Sequence, residues 1–187
     1  MHQEWQTMKS NEIHKNPWYR LVQDDVVMPS GQVGKYTYID RSAGVIIIAL
    51  TPGKELYIVG QYRYPVRKFS WELPMGALES GDEDILAAAK RELLEEVGVS
   101  AGKWTEFGHF DFCNGLCNQE AYIFVAENLN VEEVNNPAYT EFLTMKKVPL
   151  VEVEQMISRG EISNAPTLAA FYRYQLFAKN RHTNNLN

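Results

Sequence analysis

The sequence predicts an α+β fold, in which a mixed sheet is packed between helices as an α/β/α sandwich. Residues 45–50 form an uninterrupted apolar and largely β-branched run, which is typical of a buried strand. Residues 85–97 instead repeat apolar side chains at helical spacing, and two further helical segments follow towards the end of the chain. Because no linker separates the predicted strands from the predicted helices, we expect them to pack in shared layers.

The first predicted elements are strands. After a polar N-terminal segment, residues 25–28 and 35–39 are predicted to form a β-hairpin, because the residues between them are rich in Pro, Ser and Gly. The buried strand at residues 45–50 is followed by a Pro-Gly turn and by a partner strand at residues 56–61.

The later elements follow the helix at residues 85–97. They are strands at 103–112 and 121–126 around a short loop, a polar connection at 128–140, and a strand at 142–148. One helix starts after Pro149 and stops at Gly160. The last helix has Asn164 as its cap and Pro166 in its first turn, and it runs to about Lys179.

The chain is divided into three parts by this pattern. Residues 1–42 form an N-terminal hairpin segment, residues 43–179 form the main domain, and residues 180–187 form a polar tail that is expected to be disordered. A chain of 187 residues with 45% apolar and 22% charged side chains is long enough to bury a hydrophobic core.

Charge and composition exclude several classes of function. A net charge of -6 argues against a sequence-independent nucleic-acid binder, because such a protein needs a basic surface. The sequence contains neither the apolar core of a signal peptide nor an apolar run of membrane-spanning length. We therefore expect a cytoplasmic protein with no membrane partner, in which Cys113 and Cys117 are reduced thiols.

The helix at residues 85–97 carries three carboxylates on one side. Glu92 and Glu96 are four residues apart and Glu95 is three residues from Glu92, so all three project from one face. Like charges at this spacing destabilise a helix, which favours a bound cation. Several carboxylates without a nearby His or Cys cluster suit a hard cation such as Mg²⁺.

The same segment also has an ordinary structural explanation. Glu92, Glu95 and Glu96 would then form a solvated acidic helix face. Ser80 and Glu83 would form a capping box at the start of the helix. In either case Gly98 fits a helix stop with a left-handed glycine.

The residues from Gly76 to Val99 resemble the signature of the Nudix hydrolases, which cleave a nucleoside diphosphate linked to another group. Residues 91–99 read Arg-Glu-Leu-Leu-Glu-Glu-Val-Gly-Val and match the second half of that signature completely. The loop after Gly76 is one residue longer than the family pattern. Either Asp82 or Glu83 therefore fills the first acidic position.

Three further segments are similar to the branch of this family that hydrolyses ADP-ribose and other nucleoside diphosphate sugars. They are residues 61–65 (Gln-Tyr-Arg-Tyr-Pro), 71–76 (Trp-Glu-Leu-Pro-Met-Gly) and 166–170 (Pro-Thr-Leu-Ala-Ala). The resemblance implies a homodimer in which the hairpin within residues 1–42 crosses to the partner subunit. Relatives specific for ADP-ribose often carry a Pro in the loop that here lies within residues 103–120, which contain none, so other sugar nucleotides stay open.

The resemblance also implies roles for individual residues. Metal ligands would be the carbonyl of Met75 and the carboxylates of Glu92, Glu95, Glu96 and Glu141. Catalytic residues would be Glu96 together with Glu141 or Glu120 as the base, with Glu141 preferred, and Arg91 and Glu83 would orient the ligands. Substrate would bind Arg63, Trp18, Tyr19 and Tyr36. For Arg63 the alternative is a surface ion pair, and for the three aromatic residues it is a place in the core or dimer interface.

These roles imply hydrolysis of a nucleoside diphosphate sugar to a nucleoside monophosphate and a sugar phosphate, with Mg²⁺ or Mn²⁺ as cofactor. Two alternatives are a hydrolase of a dinucleotide such as NADH or of a dinucleoside polyphosphate, and a nucleotide sensor that does not hydrolyse its ligand. The intact set of acidic residues favours an enzyme over a sensor, because a sensor does not need to hold catalytic metal ions.

Overall fold

The computed structural model of the chain describes residues 4–132 and 143–184, with side chains up to residue 179. The chain divides into two compact units. The first unit contains the residues up to 43 together with residues 110–120, and the second contains the remaining residues. The segment at 110–120 is thus grouped with the N-terminal residues although the sequence places it after the central helix.

The first unit is built on an antiparallel sheet of three strands, β1 (Gln6–Lys15), β2 (Arg20–Val27) and β3 (Val33–Asp40), with β2 in the centre. The predicted hairpin is therefore present, but both of its strands are longer than the sequence pattern indicated. The sequence analysis assigned no strand to the polar N-terminal segment, but the structure forms β1 there. Nearly all of its side chains are exposed, so no apolar alternation marks it.

Residues 110–120 are fixed to β3 by backbone and side-chain hydrogen bonds. The amide of Ile39 donates to the carbonyl of Leu116 at 2.9 Å, and the amide of Asn118 donates to the carbonyl of Ile39 at 3.3 Å. The side-chain amide of Asn118 donates to Asp40 at 2.7 Å. Both cysteines in this segment are free thiols, as expected from the sequence.

The second unit contains a mixed sheet of four strands in the order β7-β4-β9-β8. Its strands are β4 (Gly44–Ala49), β7 (Met75–Ala77), β8 (Val99–Asp111) and β9 (Glu120–Val131). Strand β4 is parallel to β9 and antiparallel to β7. All six residues of β4 are buried, which explains its continuous apolar sequence.

A second sheet of three antiparallel strands has the order β10-β5-β6. Its strands are β5 (Glu55–Arg63), β6 (Lys68–Glu72) and β10 (Thr144–Pro149), and a 3₁₀ turn at Tyr64–Val66 joins β5 to β6. The sequence pattern did not reveal β6 or β7. Both are short, and the apolar residues around them show no clear period.

Helix α1 (Ile85–Val97) packs its apolar face on β4 and β7. Asp84 caps it, because its carboxylate accepts the amide of Ala87 at 2.7 Å. The suggested capping box of Ser80 and Glu83 is therefore wrong. Gly98 ends the helix in the left-handed conformation with φ 68°, as the sequence predicted.

Two helices follow β10, namely α2 (Leu150–Ser158) and α3 (Ala165–Asn184), and α3 also packs on β4. Asn164 caps α3 as predicted, since its side chain accepts the amide of Thr167 at 2.8 Å. The prediction that residues 180–187 are disordered was wrong for residues 180–184, because α3 continues through them. Residues 185–187 lie outside the described residues. No Gly or Pro stands in residues 171–184 to stop the helix.

The prediction of a polar connection at residues 128–140 was also wrong for its first residues, 128–131. Strand β9 continues to Val131, and the amide of Glu132 then donates to the carbonyl of Gly98 at 2.9 Å. The rest of that prediction, and the first residues of the strand predicted at 142–148, lie outside the described residues.

The predicted α+β class and the mixed sheet packed with helices are confirmed. None of the helices in the described part of the chain is both long and apolar enough to cross a bilayer.

Candidate active site

Two carboxylates of α1 lie against the backbone of β7. One oxygen of Glu96 accepts the amide of Met75 at 3.0 Å. The carboxyl group of Glu92 lies directly over Gly76, so closely that a β-carbon at residue 76 would come within 1.9 Å of Glu92 Oε1. Because a helical turn separates the two carboxylates, both can reach the same short piece of strand. The Met75–Gly76 backbone and these two side chains form the centre of the candidate site.

Burial disfavours the ionised forms of these two carboxylates. Glu92 is buried, and its burial raises the pKa of the carboxyl group in spite of the neighbouring Arg91. Burial is also the largest cause that raises the pKa of Glu96, to about 8, and the charge of Glu92 raises it further. The Met75 amide acts in the opposite direction by stabilising the ionised form of Glu96. A bound cation would supply the missing positive charge.

Arg91 connects the loop before α1 to the carboxylates on the helix. Its guanidinium donates to both carboxylate oxygens of Asp82, each at 3.0 Å, and to the carbonyl of Ala77 at 2.9 Å. It also donates to Glu92 at 2.8 Å and to Glu95 at 3.0 Å. One planar group therefore holds the Gly-containing loop, a buried carboxylate and an exposed carboxylate in a fixed relation.

Asp82 and Glu83, the two candidates for the first acidic position, differ in their contacts with Arg91. Only 6% of the Asp82 side chain is exposed. The bidentate hydrogen bonds from Arg91 lower the pKa of the Asp82 carboxyl group. The side chain of Glu83 is exposed. Asp82 is therefore the residue of the two that Arg91 holds, and its assignment to the first acidic position stays a prediction.

We expect Asp82→Asn to lower the stability of the protein and Glu83→Gln to leave its stability unchanged. The first change replaces the charged group that accepts two hydrogen bonds from Arg91. A hydrogen bond to a charged group contributes about 1.5 to 3 kcal/mol to the free energy of unfolding. The second change alters an exposed side chain of nearly the same size. Urea unfolding of both variants measures the difference, and equal stability of the two would contradict the role of Asp82.

Arg63 makes a second ion pair beside the site. Its Nε and Nη2 donate to the two oxygens of Glu72 at 3.0 and 2.5 Å, and Glu72 is only 1% exposed. Both residues lie near enough to Glu96 to influence its pKa, which Arg63 lowers and Glu72 raises. Arg63 thus has a buried carboxylate as a partner, whereas the alternative considered from the sequence was a surface ion pair. Binding of phosphate by Arg63 stays a prediction.

Sequence reasoning missed Glu72 as a site residue. Its only signal was an acidic residue between Trp71 and Leu73, within an otherwise apolar segment. A buried charge without a partner is costly, so an acidic residue in such a segment indicates a nearby cation or hydrogen-bond donor.

The predicted aromatic contacts for the substrate lie in the first unit. Trp18 is 72% exposed, whereas Tyr19 and Tyr36 are about half as exposed. The hydroxyl of Tyr36 donates to the carbonyl of Gly115 at 3.1 Å, and its ring meets that of Trp5 edge-on. Tyr36 also lines a cavity of about 310 Å³ together with Tyr38 and residues of the 110–120 segment.

Of the two predicted catalytic bases, Glu120 and Glu141, only the first is among the described residues. Glu120 is partly buried at the start of β9 and belongs to the first unit. Glu141 lies outside the described residues.

The structure brings together Met75, Glu92, Glu96 and Arg91, with Glu95 joined to them through Arg91.

The donor atoms at the site fit a hard divalent cation. Among the side chains of residues 4–132 and 143–179, no three His, Cys, Asp or Glu groups converge into a ready metal site. Glu92 and Glu95 instead contact Arg91, and Glu96 contacts Met75. The available ligands are nevertheless carboxylate and carbonyl oxygens only, which Mg²⁺ and Mn²⁺ prefer. The raised pKa of both Glu92 and Glu96 is consistent with a site completed by a cation.

Comparison with known families gives two matches that together span most of the chain. Residues 40–171 match the NUDIX domain. Residues 5–39 match the nucleoside diphosphate sugar hydrolase N-terminal domain, and this region contains β1, β2 and most of β3.

Three curated relatives are similar over most of their length. An ADP-ribose pyrophosphatase of Mycobacterium tuberculosis is 31% identical over 89% of this chain and 81% of the relative. An ADP-ribose pyrophosphatase of Bacillus subtilis is 30% identical over 92% of this chain and 94% of the relative. A methanol dehydrogenase activator of Bacillus methanolicus is 31% identical over 96% of this chain and 97% of the relative.

A solved structure has the same fold. The crystal structure of an ADP compounds hydrolase superposes with a TM-score of 0.83 over 96% of both chains, at 19% sequence identity. The chain traces therefore agree in the arrangement of their strands and helices, although fewer than one residue in five is the same.

Proposed function

Because the chain belongs to the Nudix hydrolase family, we propose that it cleaves the pyrophosphate bond of ADP-ribose or of a related nucleoside diphosphate sugar. The products would be a nucleoside monophosphate and a sugar phosphate. The observation that carries this proposal is the pair of carboxylates of Glu92, which is buried, and Glu96, which is partly buried, held against the Met75–Gly76 backbone. The names of two relatives support ADP-ribose as the first substrate to test.

The proposed cofactor is Mg²⁺, with Mn²⁺ as a substitute. Glu92, Glu95, Glu96 and the Met75 carbonyl would hold it, and Glu141 would be a further ligand. When bound, such a cation neutralises the diphosphate, polarises phosphorus and lowers the pKa of a coordinated water. Arg91 orients two of the proposed ligands, since it donates to both Glu92 and Glu95.

Arg63 is proposed to bind a phosphate group of the substrate. Glu72 holds the guanidinium by two hydrogen bonds, so that its plane and direction are fixed before substrate arrives. About a third of the Arg63 side chain is still exposed. Preorganised positive charge of this kind stabilises the charge that develops during phosphoryl transfer.

Water activation is assigned to Glu141, with Glu120 as the alternative base. The nucleobase is proposed to stack on Trp18, Tyr19 or Tyr36, because a flat aromatic face stabilises a base without reading its identity. Trp18 offers the most exposed ring of the three. We also propose a homodimer formed through residues 1–42, in keeping with the match of that region to the sugar hydrolase N-terminal domain.

A substrate panel tests the proposed function. The purified protein is incubated with ADP-ribose, GDP-mannose, UDP-glucose, NADH and diadenosine polyphosphates in the presence of Mg²⁺, and the products are separated by chromatography. We expect ADP-ribose or another sugar nucleotide to be cleaved fastest, and EDTA to stop the reaction. Faster cleavage of NADH or of a dinucleoside polyphosphate, or binding without cleavage, would contradict the proposal.

A further inference from the structure

The hydroxyl of Thr167 is a completely buried acceptor at the start of α3. Thr167 has no exposed surface, and its own amide is satisfied by the side chain of Asn164. Its hydroxyl oxygen accepts the amide of Leu73 at 3.0 Å. Residues 167 and 73 are 94 positions apart in the chain, so this single contact ties the last helix to the segment before β7.

The residues that Thr167 fixes connect β6 to β7 and lead directly into the candidate site. Two of the backbone groups that follow have defined partners. The carbonyl of Pro74 accepts the amide of Ile47 at 2.9 Å, and the amide of Met75 donates to Glu96 at 3.0 Å. The residue before Leu73 is Glu72, which holds Arg63.

The Leu73 amide needs this particular acceptor. Leu73 lies between the two strands and is fully buried, so neither a neighbouring strand in its sheet nor water is the partner of its amide. An unpaired buried amide is unfavourable, and the linker would shift to find another acceptor. Such a shift moves Met75 and Gly76, which touch Glu96 and Glu92.

We propose that Thr167 is a positioning residue of the active site. Its hydroxyl sets the path of residues 73–75, so that the Met75 amide meets Glu96 and Gly76 stays against Glu92. The catalytic part of this inference rests on the proposed hydrolase function. The structural part concerns the protein without metal or substrate, and it can be measured separately.

A pair of substitutions separates the hydroxyl from the packing of the side chain. Thr167→Val keeps the shape of the side chain and removes the acceptor, whereas Thr167→Ser keeps the acceptor and removes a methyl group. We expect the valine variant to lose roughly 10- to 100-fold in kcat with little change in KM, because the loss concerns geometry at the reacting centre. The serine variant should retain a kcat close to that of the wild type.

Amide hydrogen exchange provides a readout that needs neither metal nor substrate. In the metal-free protein, the amides of Leu73 and Met75 should exchange faster in Thr167→Val than in the wild type, and at the wild-type rate in Thr167→Ser. Ile162→Val serves as the control, since it removes a methyl group from a buried residue just before α3 and leaves the Thr167 hydroxyl in place. It should lower the thermal stability but leave kcat and both exchange rates unchanged.

Three results would overturn the inference. They are a wild-type kcat in Thr167→Val, an equally low kcat in both Thr167 variants, and unchanged exchange of Leu73 and Met75 in Thr167→Val. If the wild-type protein cleaves no member of the substrate panel, the proposed function fails, but the exchange measurement still decides whether Thr167 fixes the linker.

Discussion

Glu96→Gln is expected to abolish hydrolysis while the protein stays folded. Loss of a residue that merely orients a metal ligand commonly costs 10- to 100-fold, so loss of a ligand itself should exceed about 100-fold in kcat. The amide oxygen of glutamine can still accept the hydrogen bond that Met75 donates to Glu96. Burial raises the pKa of Glu96, and a neutral side chain avoids that cost of burying a charge. The metal-free variant should therefore be at least as stable as the wild type.

Steady-state kinetics and thermal unfolding with and without Mg²⁺ test this expectation. The wild-type protein should be stabilised by added Mg²⁺, because a ligand that binds only the folded state shifts unfolding to higher temperature. Glu96→Gln should lose most of that stabilisation. Glu106→Gln makes the same chemical change at an exposed position of β8 and should behave as the wild type. A Glu96→Gln variant with near wild-type turnover would refute the metal assignment.

Gly76→Ala is expected to reduce activity far more than stability. A β-carbon at this position would lie 1.9 Å from Glu92 Oε1 and 2.1 Å from its Cδ, which no structure tolerates without movement. The atoms in its way belong to the far end of a flexible side chain, so the carboxylate moves rather than the backbone. Glu92 would then leave both its place beside β7 and its hydrogen bond with Arg91. A displacement of this size at a reacting centre can cost about 100-fold.

The control for Gly76→Ala is Gly81→Ala in the loop that follows β7. A β-carbon at residue 81 would have no atom within 4 Å, so the added methyl group meets open space. The kcat/KM of both variants is compared with their midpoints of urea unfolding. A Gly76→Ala variant that is fully active would mean that the position of the Glu92 carboxylate is unimportant for the reaction. One that fails to fold would show that the backbone, not the carboxylate, absorbs the clash.

Part of the site could be predicted from the sequence because it depends on short-range spacing. Glu92, Glu95 and Glu96 occur within five residues of one helix, whose period alone places them on a common face. The caps at Asn164 and Gly98 are equally local, since each residue acts on a backbone group three or four positions away. The buried strand β4 was recognisable because its six residues are all apolar or glycine.

Other features could not be predicted because they depend on contacts between distant parts of the chain. The pairing of Arg63 with Glu72 requires the register of β5 and β6, which the sequence pattern does not define. The contact of Arg91 with Asp82 depends on how a loop of irregular backbone turns its side chains towards the helix. The contact of Thr167 with Leu73 joins residues 94 positions apart.

The exposed strand β1 illustrates how an open edge can be protected against aggregation. Within the part of the chain that the structure describes, β1 is an outer strand of its sheet, and its pairing with β2 shifts register at Met8 and again at Ile13. Each irregularity interrupts the row of backbone groups that a foreign strand would need for continuous pairing. Only residues 9–12 remain as a regular stretch between them, and they include Lys9 and Glu12. The two bulges thus make the longest exposed edge of the first unit a poor template for uncontrolled strand addition.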